Sequence, residues 1–142
     1  MHIVLEHRKN FRFTATTDNG KSVEIDASSA AGEAEHASPM QLVASAIGAC
    51  SAIDIVDILQ KGRQTIDSFS IEVDAERAET PPKVFTRVHV HYDLNGDLTS
   101  DKVQRAIALS LQKYCSVSIM IAKTATLTAS CSVNGERSEC KL

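Results

Sequence analysis

At 142 residues the chain suits one domain, or one subunit of a tightly built oligomer, and it is long enough to bury a core without a metal or disulfide framework. The net charge of −3 and the scattered lysines and arginines exclude an electrostatic footprint for nucleic acid, and no basic run reads as a membrane-surface patch. With no Trp, four Phe and two Tyr, the core has to be aliphatic.

The first residues, MHIVLEHRKNF, carry charge early and lack the apolar stretch of a signal peptide. The uncharged run from Met40 to Ile53 is shorter than the roughly 20 apolar residues needed to cross a bilayer. Four cysteines lie 65, 16 and 9 residues apart with no CxxC pair, so a zinc site has little support. The expectation is reduced thiols in the cytoplasm, with no metal, no membrane and no nucleic acid as partner. A glycine-rich phosphate loop and a nucleophile elbow are both missing, which disfavours nucleotide-dependent chemistry.

In chain order, HIVLE and FRFTATT read as strands, and Asn19-Gly20 is a two-residue hairpin signal before KSVEIDA. SSAAGEAEHA, residues 28–37, reads as a loop. Helix one is predicted over 38–62. Ser38 and Gln41 have the spacing of a capping box, Pro39 suits the first helical position, and Gly62 can end the helix. Leu42, Val43, Ala46, Ile47, Cys50, Ile53, Val56 and Leu59 make it apolar nearly all round, as in a central buried helix.

Two long alternating strands follow. Phe69, Ile71, Val73 and Ala75 share one face of the first, and Val84, Val88, Val90, Tyr92 and Leu94 one face of the second, with ETPPK as the turn. Helix two is predicted from Thr99 or Ser100, with Val103, Ile107, Leu111 and Tyr114 on its buried stripe. SVSIMIAK fits a short helix or a strand, ATLTASCSVN reads as the last strand, and residues 135–142 as a mobile tail. The order strands, helix, strands, helix, strand gives an α+β class with a mostly antiparallel sheet in a single domain over 1–142.

Thiol chemistry needs a thiolate, access for the oxidant and, for peroxide reduction, a second thiol. Cys50 sits in helix one and Cys115 at the end of helix two, but a free cysteine is also a common core residue, and these residues alone leave both readings open. Cys131 reads as core and Cys140 as incidental. His89 and His91 share a strand face beside Arg87 and Asp93, which fits a solvated face better than a metal site. Asp54 and Asp57 fit the point where helix one meets water.

SPMQLVASAIGACSAIDIVDILQKGRQ, with the later PPKVFTRVHVHYDL and KYCSVSIMIAKTATL, resembles the OsmC/Ohr superfamily (osmotically inducible protein C and organic hydroperoxide resistance), most closely its YhfA-like branch. The resemblance covers residues 2 to 134. It implies an intertwined homodimer whose sheets wrap two long central helices. It further implies that Cys50 attacks an organic hydroperoxide, that Cys115 resolves the sulfenic acid as a disulfide, and that a dithiol reductant restores both without a cofactor. The hydrophobic substrate would occupy a pocket at the dimer interface built from Ile47, Ile53 and Met120.

One position departs from the family's pattern. Peroxidases of the family carry a glutamate ten residues before the first cysteine, and here that residue is Met40, whose thioether is a poor acceptor. The family's arginine has no assigned match among Arg8 and Arg12, while Gln41, Glu33 or Glu35 could supply a polar contact. The alternative is therefore an OsmC-like redox-sensing or small-molecule-binding protein with little turnover. A third reading makes the cysteines packing residues of a structural dimer.

Overall fold

A computed structural model describes residues 1–28 and 32–142, so the expected loop over 28–37 lies partly outside the described residues. The chain forms two compact units, Met1–Val43 and Ala44–Leu142.

In the first unit, β1 (Ile3–His7), β2 (Phe13–Thr17) and β3 (Ser22–Ile25) form an antiparallel sheet in that order. The hairpin signal is realised between β2 and β3: Gly20 takes φ +75° and its N–H donates to the Thr17 carbonyl at 2.9 Å. Only glycine enters that region without steric cost. The capping box also forms. Ser38 N–H donates to Gln41 Oε1 at 2.8 Å, and Gln41 N–H to Ser38 Oγ at 3.4 Å. These bonds start helix α1 (Pro39–Lys61).

The second unit has a four-stranded sheet in the order β4 (Thr65–Arg77), β5 (Phe85–Asp97), β6 (Thr126–Val133), β7 (Glu136–Cys140). The β4–β5 and β6–β7 pairs are antiparallel, whereas β5–β6 is parallel. A parallel pair cannot be joined by a tight turn. Its connection consists of α2 (Ser100–Leu109), a π-helical turn (Ser110–Tyr114) and α3 (Ser116–Ile121).

Alternation along β5 puts Val88, Val90, Tyr92 and Leu94 on one face, all fully buried, with Cys131 and Val133 of β6 beside them. Helix α2 contributes Val103, Ala106 and Ile107 to the same core. Helix α1 contributes Ile47, Ser51, Ile55 and Leu59, one residue per turn. Gly48 lets α1 approach β4 closely, since a Cβ there would lie 3.3 Å from Val73 Cγ2 and 3.5 Å from Ile71 Cγ2.

Three expectations need correction. Residues 136–140 are not a tail but strand β7, because the turn at Asn134 (φ +51°) and Gly135 (φ +85°) returns the chain along β6. Tyr114 is 51% exposed, because the π-helical turn inserts extra arc and rotates it off the stripe shared by Val103, Ile107 and Leu111. Val84 precedes β5 and is exposed, and Phe85 is the buried residue there. Within one chain helix α1 buries a single stripe and leaves Ile53 72% exposed, a face that the expected dimer would cover.

Helix α1 also runs past the uncharged segment into Asp54, Asp57 and Lys61. By length and composition it could cross a membrane, as the core helices of soluble proteins also could.

Candidate functional site

The site lies in the second unit, where α1 faces the irregular end of α2. Cys50 is half-buried on α1, one residue before Ser51 of the buried stripe. Cys115 is fully buried and caps α3, its sulfur accepting the Ser118 N–H at 3.4 Å. A thiol replaces the usual hydroxyl or carboxylate cap there.

The π-helical turn sets the position of Cys115. Its N–H donates to the Ser110 carbonyl at 2.8 Å, five residues back, before the chain turns extended at Cys115. Such single-turn widenings of a helix are frequent at functional sites. Ser110 ties that turn to α1, with its hydroxyl 2.9 Å from Asp54 Oδ2 and 3.4 Å from the Ser51 carbonyl oxygen. Ser118 closes the other side by donating to the carbonyls of Leu111 at 2.8 Å and Cys115 at 2.9 Å.

Under this framework the two thiols meet. Burial raises the Cys115 thiol above its ordinary value, a hydrogen-bonding interaction with the Cys50 thiol raises it further, and the contacts with Ser118 oppose both. Cys115 therefore holds its proton beside Cys50. Tyr92, fully buried on β5, forms the floor, and its hydroxyl donates to Ser51 Oγ at 2.8 Å. Burial raises the Tyr92 phenol, so at neutral pH it is a hydrogen-bond donor and not a base.

A cleft of about 520 Å³ opens beside the site, lined by Asp54, Asp57, Ile58, Lys61 and Tyr114. It is mixed in character and is not lined by Ile47, Ile53 or Met120, the residues expected at a dimer interface. Ile47 is in the core, while Ile53 and Met120 are 72% and 62% exposed.

The remaining candidates fall elsewhere. His89 and His91 point away from the core, and their ring nitrogens bond with the hydroxyls of Thr128, Ser130 and Ser132 at 2.7 to 3.2 Å. In the first unit Arg8 bonds to Thr14 and Glu6, whereas Arg12 bonds to Asp26 and Glu35. The Arg12 Nε is buried with no partner among the described residues. Glu33 accepts from Ser28, and Met40 is half-buried in the first turn of α1, which holds no acidic residue.

Sequence reasoning missed Tyr92, Ser51, Ser110 and Ser118 as parts of the site. Tyr92 was legible as a core position, but Ser51, a polar residue, was not singled out, and no local pattern announces a π-helical turn.

The OsmC-like protein family matches residues 32–130. Protein YhfA of Escherichia coli (strain K12) is 46% identical over 94 residues, which is 66% of this chain and 70% of that one. The crystal structure of a hypothetical protein from Aquifex aeolicus VF5 is 30% identical with a TM-score of 0.83, covering 93% of this chain and 94% of the other. An organic hydroperoxide resistance protein OsmC from Legionella pneumophila shares the fold at 20% identity and TM-score 0.71, covering 94% and 98%. With half of its length and more matched by the family, and its thiols held at the junction of α1 and the π-helical turn, the chain belongs to the OsmC-like family and to its YhfA-like branch.

Proposed function

We propose that the protein is a thiol-dependent hydroperoxide reductase acting on organic hydroperoxides. The observation that carries the reading is the direct interaction of the Cys50 and Cys115 thiols within a braced framework. Cys115 keeps its proton, so the first attack falls to Cys50. The Cys50 sulfur takes the terminal oxygen of the hydroperoxide, the O–O bond breaks, and the alcohol leaves. Cys50 is then a sulfenic acid. Cys115 condenses with it, the S–S bond forms, and water leaves with the Cys115 proton. A dithiol from solution reduces the disulfide and returns both thiols.

The active form in this reading is a homodimer. A second copy would cover Ile53, Ile119 and Met120, apolar side chains too exposed for the surface of a monomer. Sedimentation should then give twice the 15.4 kDa of one chain. Four free cysteines fit a reducing compartment, and the cytoplasm is the proposed location.

The test is to mix reduced protein with one equivalent of cumene hydroperoxide, with hydrogen peroxide in parallel, and to map disulfides by mass spectrometry after trapping free thiols. A Cys50–Cys115 bond formed within seconds, faster with the organic oxidant, supports the reading. Thiols that stay reduced for many minutes overturn it.

The first turn of α1 favours one second reading. It has Met40 where peroxidases of the family carry glutamate, and no acidic residue nearby in that turn. A protein that binds a small hydrophobic or thiol ligand, or senses oxidation with little turnover, would show ligand-dependent stabilisation together with slow disulfide formation.

A further inference from the structure

Tyr114 stands where the helical period of α2 calls for a buried residue, yet the π-helical turn rotates it outward and leaves it 51% exposed. An aromatic side chain is among the largest contributors to a core, so a turn that gives up its burial is a departure from local packing of the kind found at functional places. The ring is not left to itself. Lys113 Nζ lies 5.4 Å from its centroid, within cation–π range, which favours one orientation of the side chain.

Tyr114 lines the cleft of about 520 Å³, together with Ile58, which is half-buried on α1. That volume falls within the roughly 300–1,000 Å³ of small-molecule sites. Two connections fix the cleft to the thiols. Tyr114 is the chain neighbour of Cys115. Asp54, which also lines the cleft, follows Cys50 by one turn of α1 and accepts the Ser110 hydroxyl at 2.9 Å, while the Ser110 carbonyl accepts the Cys115 N–H at 2.8 Å. A molecule whose reactive end meets Cys50 therefore has this cleft beside it for the rest of its bulk.

The charges lining the cleft are already engaged. Lys61 bonds to Asp57 at 2.6 Å, and Asp54 is held by Ser110. Lys61 is the only cation lining the cleft among the described residues, so none is left unpaired to receive an anionic group, and the carboxylates of Asp54 and Asp57 would repel one. Tyr114 and Ile58 are the residues with most to gain from a ligand, because covering them takes apolar surface out of water.

We propose that this cleft binds an uncharged aryl or branched alkyl group, with Tyr114 as the residue that determines its specificity. Under the peroxidase reading, on which the assignment of a substrate rests, that group is the organic substituent of the hydroperoxide. The π-helical turn then serves the reaction twice. It sets Cys115 beside Cys50, and it turns Tyr114 from the core toward the substituent.

The experiment has two arms, both with the full-length reduced protein. The first measures kcat/KM for cumene hydroperoxide and for hydrogen peroxide, which has no substituent, with dithiothreitol as reductant. Tyr114→Ala should lower the ratio of the two roughly tenfold, and Tyr114→Phe, which keeps the ring, should restore it. An unchanged ratio in Tyr114→Ala, with both oxidants consumed, overturns the proposal and leaves the peroxidase reading standing. The second arm needs no turnover. Titrated 2-phenyl-2-propanol, the alcohol that cumene hydroperoxide yields, should shift the Ile58 methyl signals in NMR spectra, and its para-carboxylate should not. Tyr114→Ala should abolish the shift. If the alcohol shifts Ile58 in a protein that consumes no hydroperoxide, the peroxidase reading fails and the binding site stands. No shift with the alcohol, or equal shifts with alcohol and carboxylate, overturns the site.

Discussion

The two units are held by different forces. In Met1–Val43 the polar centre is the half-buried Arg12, which bonds to Glu35 and, at 3.4 Å, to Asp26, while Asp26 also accepts the N–H groups of Ala27 at 2.8 Å and Glu35 at 3.2 Å. Strand β1 of this unit is exposed at all five positions. In Ala44–Leu142 an aliphatic core covers one sheet face, and the polar groups it buries are hydroxyls and thiols bonded to one another or to carbonyls. Charge holds the first unit and is sensitive to pH. Apolar burial holds the second.

The sharpest way to break the comparison is to remove chemistry from the second unit while keeping its fold. Cys50→Ser should abolish hydroperoxide consumption with an unchanged melting curve, and Cys115→Ser should leave a Cys50 sulfenic acid that dimedone captures. Loss of the fold in Cys50→Ser would mean that the thiol serves packing.

Next in size is the core itself. Ile107→Ala removes a fully buried side chain of α2 and should cost about 2–5 kcal/mol, read from the urea midpoint. A value below about 1 kcal/mol would show that the site can collapse and that this core is looser than its burial suggests.

Acid should separate the units. Asp26 is held below its ordinary 3.8, first by the N–H of Glu35, and Glu35 below its ordinary 4.5, first by Arg12. Groups with lowered folded values contribute stability that is fully present above the ordinary carboxyl range and is lost as the pH falls through the folded values. Amide exchange in β2 and β3 should therefore accelerate below about pH 4 while β5 and β6 remain protected. Arg12→Gln should abolish most of that difference. Equal acid sensitivity in both sheets would contradict the contrast.

The smallest effect belongs to the surface of α1. Lys61 and Asp57 form an exposed pair at 2.6 Å and i,i+4 spacing, and Asp57→Asn should shift stability by about 0.3–0.5 kcal/mol or less, vanishing in high salt.

Much of this was legible in the residues. Ser38, Pro39 and Gln41 announced the start of α1, and Asn19-Gly20 the β2–β3 turn, because capping and positive φ are local requirements written in neighbouring side chains. The alternation in β4 and β5 named the buried face, Val84 excepted. Tyr114 was misplaced because stripe counting assumes 3.6 residues per turn, and the π-helical turn departs from that. Residues 136–140 were misread because their polar, small side chains carry no hydrophobic period. Their strand is specified by a partner, β6, and not by themselves.

The sequence alone determined where the elements begin and which faces are apolar. Those features depend on dihedral preference and side-chain period, which act over a few residues. Only the tertiary structure decided that β6 lies parallel to β5, that Cys115 caps a helix beside Cys50, that Arg12 bonds to Asp26 and Glu35, and that Cys140 is the diagonal neighbour of Cys131. Each of these depends on which distant segments share a boundary, a choice made by burial of the whole core and by the pairing of every polar group within it.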